Sequence, residues 1–276
     1  MTPSKTILIT GGSSGMGAYC ARALKADGWT VFVTARRKSD IDALQAEGFS
    51  AHYLDYRDSA SIASTLAAVL ESTGGTLDAL YNNGAYAIPG AVEDLPVAAL
   101  REQFDVAFFG WHELTRLVIP VMRRQGHGRI VHCSSILGLV PMKWRGAYVA
   151  AKFALEGLMT TQRMELQGSG IHVSLLEPGS IETRFRANAI EHVESHIDTG
   201  SSPHGDVYRR EIEHARTGRR QPFALGPEAI YKVLKHALES KRPRPHYIVT
   251  LPAKFADLAR RLLPSRALYR LLAGKS

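Results

Sequence analysis

The sequence predicts an α/β fold in which a single doubly wound parallel sheet of about seven strands carries helices on both faces. Three observations predict it. Short, nearly continuous apolar runs alternate with longer stretches of helical periodicity, and such runs suit strands that are buried on both faces. A glycine-rich turn separates the first apolar run from the first helical stretch. Polar residues able to do chemistry fall repeatedly just after an apolar run, where the ligands of an open parallel sheet bind.

Residues 5–10 (Lys-Thr-Ile-Leu-Ile-Thr) read as the first buried strand, followed by Gly11-Gly12-Ser13-Ser14-Gly15-Met16-Gly17 and a helical pattern from Met16 to Ala26. Glycines let the backbone turn tightly and approach a pyrophosphate, and the helix N-terminus adds N–H donors and the positive end of its dipole. Strand, glycine turn and helix together therefore point to a Rossmann-type dinucleotide site. The second strand, Thr30–Thr34, ends at Ala35-Arg36-Arg37. NAD-binding units carry an acid here for the ribose hydroxyl. Two guanidinium groups suit the 2′-phosphate of NADP instead.

The alternation continues with a helix over 40–47, a strand over 50–54 ahead of Asp55, a helix over 59–72 and a strand over 77–81 ahead of Asn82-Asn83-Gly84-Ala85. Asp55 at such a strand end suits contact with an adenine, and spacing alone suits the polar start of a loop nearly as well. Residues 96–124 read as one amphipathic helical region with a local break at Pro120. A strand over 129–133 leads to Ser134 and Ser135, a helix over 146–167 ends at Gly168-Ser169-Gly170, and a strand over 171–176 meets Glu177-Pro178-Gly179. Residues 184–226 read as irregular, with one polar helical stretch and a turn at Thr217-Gly218-Arg219-Arg220. A helix follows Gly226-Pro227, and His246–Thr250 is the last strand.

Residues 134–152 hold the reactive chemistry. Tyr148 and Lys152 are four apart and share one face of their helix. A free phenol titrates near ~10, and an adjacent ammonium favours the phenolate, so the pair suits proton exchange with a carbonyl or alcohol. Ser135 arrives from a different strand end to bond the same substrate oxygen.

With these motifs in hand, residues 5–250 resemble the short-chain dehydrogenase/reductase family. The resemblance rests on Thr10-Gly11-x-x-x-Gly15-x-Gly17, Asn82-Asn83, Ser135, Tyr148-x-x-x-Lys152 and Pro178-Gly179-x-Ile181-x-Thr183. It implies that Tyr148 is the general acid in reduction and the base in oxidation. It also implies that Lys152 lowers the tyrosine's pKa and holds the nicotinamide ribose, and that Ser135 orients the carbonyl. The cofactor contacts it implies, with those read above, are Gly11, Ser13, Ser14, Gly15, Met16, Gly17, Arg36, Arg37, Asp55, Asn83, Tyr148, Lys152, Pro178, Gly179, Ile181 and Thr183, with NADP(H) as the cofactor. The sequence departs from the family at Asn-Asn-Gly-Ala, for the usual Asn-Asn-Ala-Gly, and at Ala107, where an asparagine helps hold a water in the proton relay to the lysine. The segment after Pro178 looks closest to the retinol, hydroxysteroid and aldehyde reductase branch. A lipophilic aldehyde, ketone or alcohol is then the expected substrate, and a homodimer or homotetramer the expected assembly. The alternative, motivated by Ala107, is a catalytically weakened NADPH-binding regulatory protein.

Length and composition bound the rest. The 276 residues can form one domain with a substantial core, with 184–226 covering the substrate and 252–276 forming a basic, amphipathic tail. The tail's leucines suit packing on the domain or a partner copy, or a weak peripheral membrane contact. A net charge of +8 favours anionic partners, but no basic run interleaved with aromatics supports a nucleic-acid partner. Two cysteines, Cys20 and Cys133, do not make a disulfide scaffold and point to a cytoplasmic setting. His192, His196, His204 and His214 show no convincing metal-ligand spacing, so no metal is expected. Neither a signal peptide nor an apolar run of about 18 residues is expected to take the chain into a bilayer.

Overall fold

A computed structural model describes residues 4–217 and 221–274. Gly218, Arg219 and Arg220 of the expected polar turn, and the tail's last two residues, lie outside the described residues. The order along the chain is β1 (Thr6–Ile9), α1 (Gly15–Ala26), β2 (Thr30–Ala35), α2 (Lys38–Ala46), β3 (Ser50–Tyr53), α3 (Ser59–Ser72), β4 (Ala79–Asn82), α4 (Val97–Phe104), α5 (Gly110–Gln125), β5 (Gly128–Cys133), α6 (Gly146–Glu165), β6 (Ile171–Pro178), α7 (Phe185–His196), α8 (Gly205–Arg216), α9 (Glu228–Glu239), β7 (His246–Val249), α10 (Leu251–Leu262) and α11 (Ser265–Ala273).

The seven strands form one sheet in the order β3-β2-β1-β4-β5-β6-β7, and every neighbouring pair is parallel. The predicted doubly wound sheet is therefore present, with its strand count. Its apolar runs are buried as parallel strands must be: Ile7, Leu8 and Ile9 of β1 are fully enclosed, each burial contributing about 1.5–3 kcal/mol. The order reverses between β1 and β4, where the loops that follow diverge and leave a crevice beyond the strand ends. The glycine turn after β1 and Asn83 after β4 flank that crevice. α1 packs with α9, α3 with α5, and α4 with α6.

Two expectations need correction. Pro120 does not break its helix; it sits inside α5 on the exposed face, where solvent can satisfy the carbonyl one turn earlier. The interruption of the 96–124 region falls instead at Asp105–Phe109, a wide π-helical turn that includes Ala107. Residues 184–226 are not irregular throughout, since α7 spans Phe185–His196. This helix buries only Ala189 and Val193, four residues apart, too narrow a stripe to announce itself in the sequence.

The first tail helix ends at Leu262, and Pro264 caps the start of the second. α10 buries Ala253, Asp257 and Ala259, while Phe255, Leu258 and Leu262 are exposed. Cys20 and Cys133 are both free and buried. No helix among the described residues is long and apolar enough to cross a membrane.

Candidate active site

The loops beyond the carboxyl ends of the strands enclose a cavity of about 1130 Å³. Its glycine floor is built by close approach. Gly11 has φ +63°, and a Cβ there would stand 2.5 Å from the Cα of Gly84. Gly15 opens α1 with φ +57°. Ser14 caps that helix without a side-chain bond, so its hydroxyl leaves the first-turn N–H groups for another acceptor. Gly17 does not reach the cavity wall. A side chain at Gly17 would collide with the Gly11 carbonyl and come within 2.5 Å of Asn83 Nδ2, so its role is to let α1 pack against the two loops.

Thr10 ties those loops together, which sequence reading missed. Its hydroxyl accepts bonds from the N–H groups of Asn83 (2.9 Å) and Gly84 (3.1 Å). The Asn83 amide donates to the carbonyls of Thr10 and Gly11 at 3.1 and 3.3 Å. Asn83 is thus a brace between the two sides of the crevice, and its Oδ1 is buried without a bond.

Every other predicted site residue lines this one cavity: Gly11, Ser13, Ser14, Gly15, Met16, Arg36, Arg37, Asp55, Asn83, Ser135, Tyr148, Lys152, Pro178, Gly179, Ile181 and Thr183. The guanidinium of Arg36 lies 5.1 Å over the ring of Tyr86. An acid absent from the strand end enters one turn into α2, where Asp40 joins the cavity lining. The Asp55 carboxylate is held by the Arg57 guanidinium at 2.7 Å and the Arg57 N–H at 3.0 Å. Its burial opposes ionisation, but those bonds hold its pKa below the usual carboxylate value.

Tyr148, Lys152 and Ser135 occupy one end. Ser135 Oγ accepts a bond from Leu137 N–H at 3.1 Å. The Lys152 ammonium donates to the Cys133 carbonyl at 2.9 Å, lies 4.0 Å from the centroid of the Trp111 ring and 5.6 Å from that of Tyr148. Trp111 is anchored by its indole N–H on the Gly84 carbonyl at 3.0 Å. Nothing in the sequence marked this tryptophan, because its partners lie far away along the chain.

The electrostatics differ from the expectation drawn from Tyr148 and Lys152 alone. Burial pushes the Tyr148 phenol above its ordinary value; the thiol of Cys133 adds to this, and the Ser135 hydroxyl pulls it back. Burial also pushes Lys152 down to about 8, with Cys133 and Glu156 opposing. Desolvation is the largest cause of both shifts. A raised pKa keeps the phenol protonated at neutrality, the form that donates to a carbonyl oxygen.

Apolar side chains also line the cavity, among them Val140, Met142, Trp144, Phe185, Ile190 and Val193. Phe185 meets Tyr148 edge to face at 5.7 Å. His192 and His196 are not simply scattered. His192 stacks on Tyr86 at 4.0 Å, and His196 Nε2 is 3.2 Å from the Glu102 carboxylate, pinning α7 to α4.

These features agree with what the chain is similar to. Residues 5–194 match the family model described as short chain dehydrogenase. The uncharacterized oxidoreductase YbbO of Escherichia coli (strain K12) is 36% identical over 270 residues, covering 98% of this chain and 94% of that protein. Retinol dehydrogenase 8 of Bos taurus is 32% identical over 251 residues, covering 87% and 79%. The crystal structure of a short-chain dehydrogenase from Streptomyces avermitilis superposes with a TM-score of 0.78 at 30% identity, covering 97% of this chain and 96% of that one. On its fold, its cavity and these likenesses, the chain belongs to the short-chain dehydrogenase family, whose members are oxidoreductases acting on CH–OH groups.

Proposed function

We propose that the protein is an NADP(H)-dependent oxidoreductase that moves a hydride between nicotinamide and a lipophilic aldehyde, ketone or alcohol. The observation that carries this reading is the single cavity that holds Tyr148, Lys152 and Ser135 at one end and Arg36 at the other. The residues fit a dinucleotide: Gly11 lets its turn close against Gly84, an approach any side chain would block, and the N-terminus of α1 faces the cavity through Ser14 and Gly15. Ser13, Ser14, Gly15 and Met16 would hold the pyrophosphate, Arg36 and Arg37 the 2′-phosphate, Asp55 the adenine, and Pro178, Gly179, Ile181 and Thr183 the nicotinamide end. The nicotinamide, when bound, supplies or accepts the hydride. Ser135 orients the substrate oxygen, Tyr148 gives it a proton in reduction, and Lys152 supports the tyrosine and holds a ribose hydroxyl. The regulatory alternative gains no support from this arrangement.

Arg36 tests the cofactor assignment. Arg36→Ala is expected to raise KM for NADPH on the order of 10–100-fold, the loss of one charge-assisted fork on phosphate, and to leave KM for NADH within about twofold. Paired titrations with both cofactors read this out, and equal effects on the two would contradict the assignment.

The apolar lining supports a lipophilic substrate, as does the likeness to a retinol dehydrogenase. Leu272, Pro252, Ala253 and Ala256 bring the tail to the cavity, next to its exposed Phe255, Leu258 and Leu262 and to Lys254, Arg266 and Arg270. This is the basis for a weak membrane contact in an otherwise cytoplasmic enzyme. The double variant Phe255→Glu, Leu262→Glu is expected to lower co-sedimentation with anionic liposomes several-fold; equal recovery of wild type and variant in the supernatant would remove the membrane from the account. Exposed Phe109, just before α5, and Phe153, on α6, support a homodimer or homotetramer assembled through the helices of 96–124 and 146–167.

A further inference from the structure

The proposed reaction consumes one proton per carbonyl reduced, and Tyr148 and Lys152 are buried. Solvent must therefore return a proton to them. The resemblance assigns part of that return to an asparagine, whose side chain is replaced here by the enclosed methyl group of Ala107, leaving the backbone carbonyl at 107 as the remaining holder of that water. A second acid stands on the same face of α6. Glu156 follows Lys152 by four residues, as Lys152 follows Tyr148.

Glu156 is buried, and neither of its carboxylate oxygens has a well-formed hydrogen bond; the same is true of the Ser134 hydroxyl. Both lie against Gly138, where a Cβ would stand 2.8 Å from Glu156 Cγ and 3.0 Å from Ser134 Oγ. Ser134 directly follows the carbonyl that holds the Lys152 ammonium. On its other side, Glu156 Oε2 is 3.7 Å from His246 Nδ1. His246 is bound to Glu177 at 2.6 Å and keeps a third of its side chain exposed. A buried carboxyl so poorly satisfied is costly to keep charged unless a proton is shared there.

We propose that Glu156 and His246 form a proton-return path from solvent to Lys152, passing the Ser134 hydroxyl. The inference rests on the proposed function. In each reduction the substrate carbon gains a hydride and its oxygen gains the Tyr148 proton. Lys152 reprotonates Tyr148, Glu156 reprotonates Lys152, His246 reprotonates Glu156, and water reprotonates His246. One solvent proton thus ends on the product and every protein group returns to its starting state. In oxidation the path runs in reverse.

The charges around the path suit proton sharing. Burial and the Glu177 carboxylate push Glu156 above the usual carboxylate range, while Ser134, His246 and Lys152 pull it down. The bond to Glu177 raises His246, with Glu156 adding and Arg163 opposing. Asp257 of α10 acts on Glu177. A carboxyl raised and an imidazole raised beside it exchange a proton more readily near neutrality than either would at its ordinary value.

The test uses the full-length enzyme with NADPH and decanal. Glu156→Gln keeps the shape and removes the acid. Its kcat is expected to fall about tenfold or more, with KM for NADPH within twofold and a changed kcat–pH profile. His246→Gln, at the partly exposed outer end, removes the imidazole that faces Glu156 and is expected to alter the same profile. Infrared difference spectra of the protein alone should show a carboxyl band that titrates above the ordinary range and is missing in Glu156→Gln. A Glu156→Gln enzyme with wild-type kcat and pH profile would overturn the path while leaving the proposed function intact, as would the absence of that band. No turnover by the wild type would overturn both.

Discussion

Tyr148→Phe is expected to lower the kcat of NADPH-dependent carbonyl reduction by on the order of 10³-fold, the scale of a lost general acid, and to leave NADPH affinity within about threefold. The reasoning is local. The ring of Tyr148 is buried and packs edge to face on Phe185, and phenylalanine preserves that packing. Only the hydroxyl is removed, and with it the one proton donor that the site offers beside Ser135. Because burial keeps the phenol protonated through neutrality, the wild-type rate of reduction is not limited by the fraction of tyrosine in its acid form. Stopped-flow absorbance of NADPH separates the two quantities, since binding precedes consumption. A loss of affinity equal to the loss of rate would mean that the hydroxyl serves binding rather than chemistry.

Lys152→Met has the second largest expected effect, on the order of 10²–10³-fold in kcat/KM, without a loss of stability. A buried ammonium is expensive to hold, and an apolar side chain of similar length removes that cost. The change leaves the Cys133 carbonyl without its 2.9 Å donor, a penalty of about 1–3 kcal/mol that offsets the gain. Thermal denaturation should therefore place the variant near the wild type, while activity collapses. The wild-type pH profile carries the same information. Burial holds Lys152 down to about 8, so the ammonium is present below that pH and lost above it. The rate of reduction is expected to fall as pH rises through about 8, and in Lys152→Met this limb should vanish. A falling limb that persists in the variant would assign it to another group.

Much of this could be read in the sequence because the information is local. Ile7, Leu8 and Ile9 are apolar on both faces of their strand, which only a sandwiched parallel strand requires. The spacing of Gly11 and Gly15 reports a backbone that must turn with positive φ. The four-residue step from Tyr148 to Lys152 reports one helix face. What escaped notice depends on distant partners or on weak patterns. Pro120 looks like a break until its exposure on α5 is known. α7 buries two side chains and reads as loop. Trp111 becomes part of the site only because α5 crosses beside Lys152. The effect of Lys152 on Tyr148 was misjudged because spacing gives proximity but not burial, and burial dominates both groups. Glu156 was within reach, since it continues the same four-residue step, yet its neighbours Glu177 and His246 arrive from β6 and β7.

The central claim is that a phenol on α6 passes its proton to a carbonyl at the nicotinamide end of this cavity. The most direct measurement is single-turnover NADPH oxidation by wild type and Tyr148→Phe, each saturated with cofactor and challenged with decanal, all-trans-retinal and a 17-ketosteroid. The account predicts consumption with at least one of these carbonyls by the wild type and a rate lower by on the order of 10³-fold in the variant. Equal rates in the two proteins, or tight NADPH binding with no consumption by the wild type on any of the three, would contradict it.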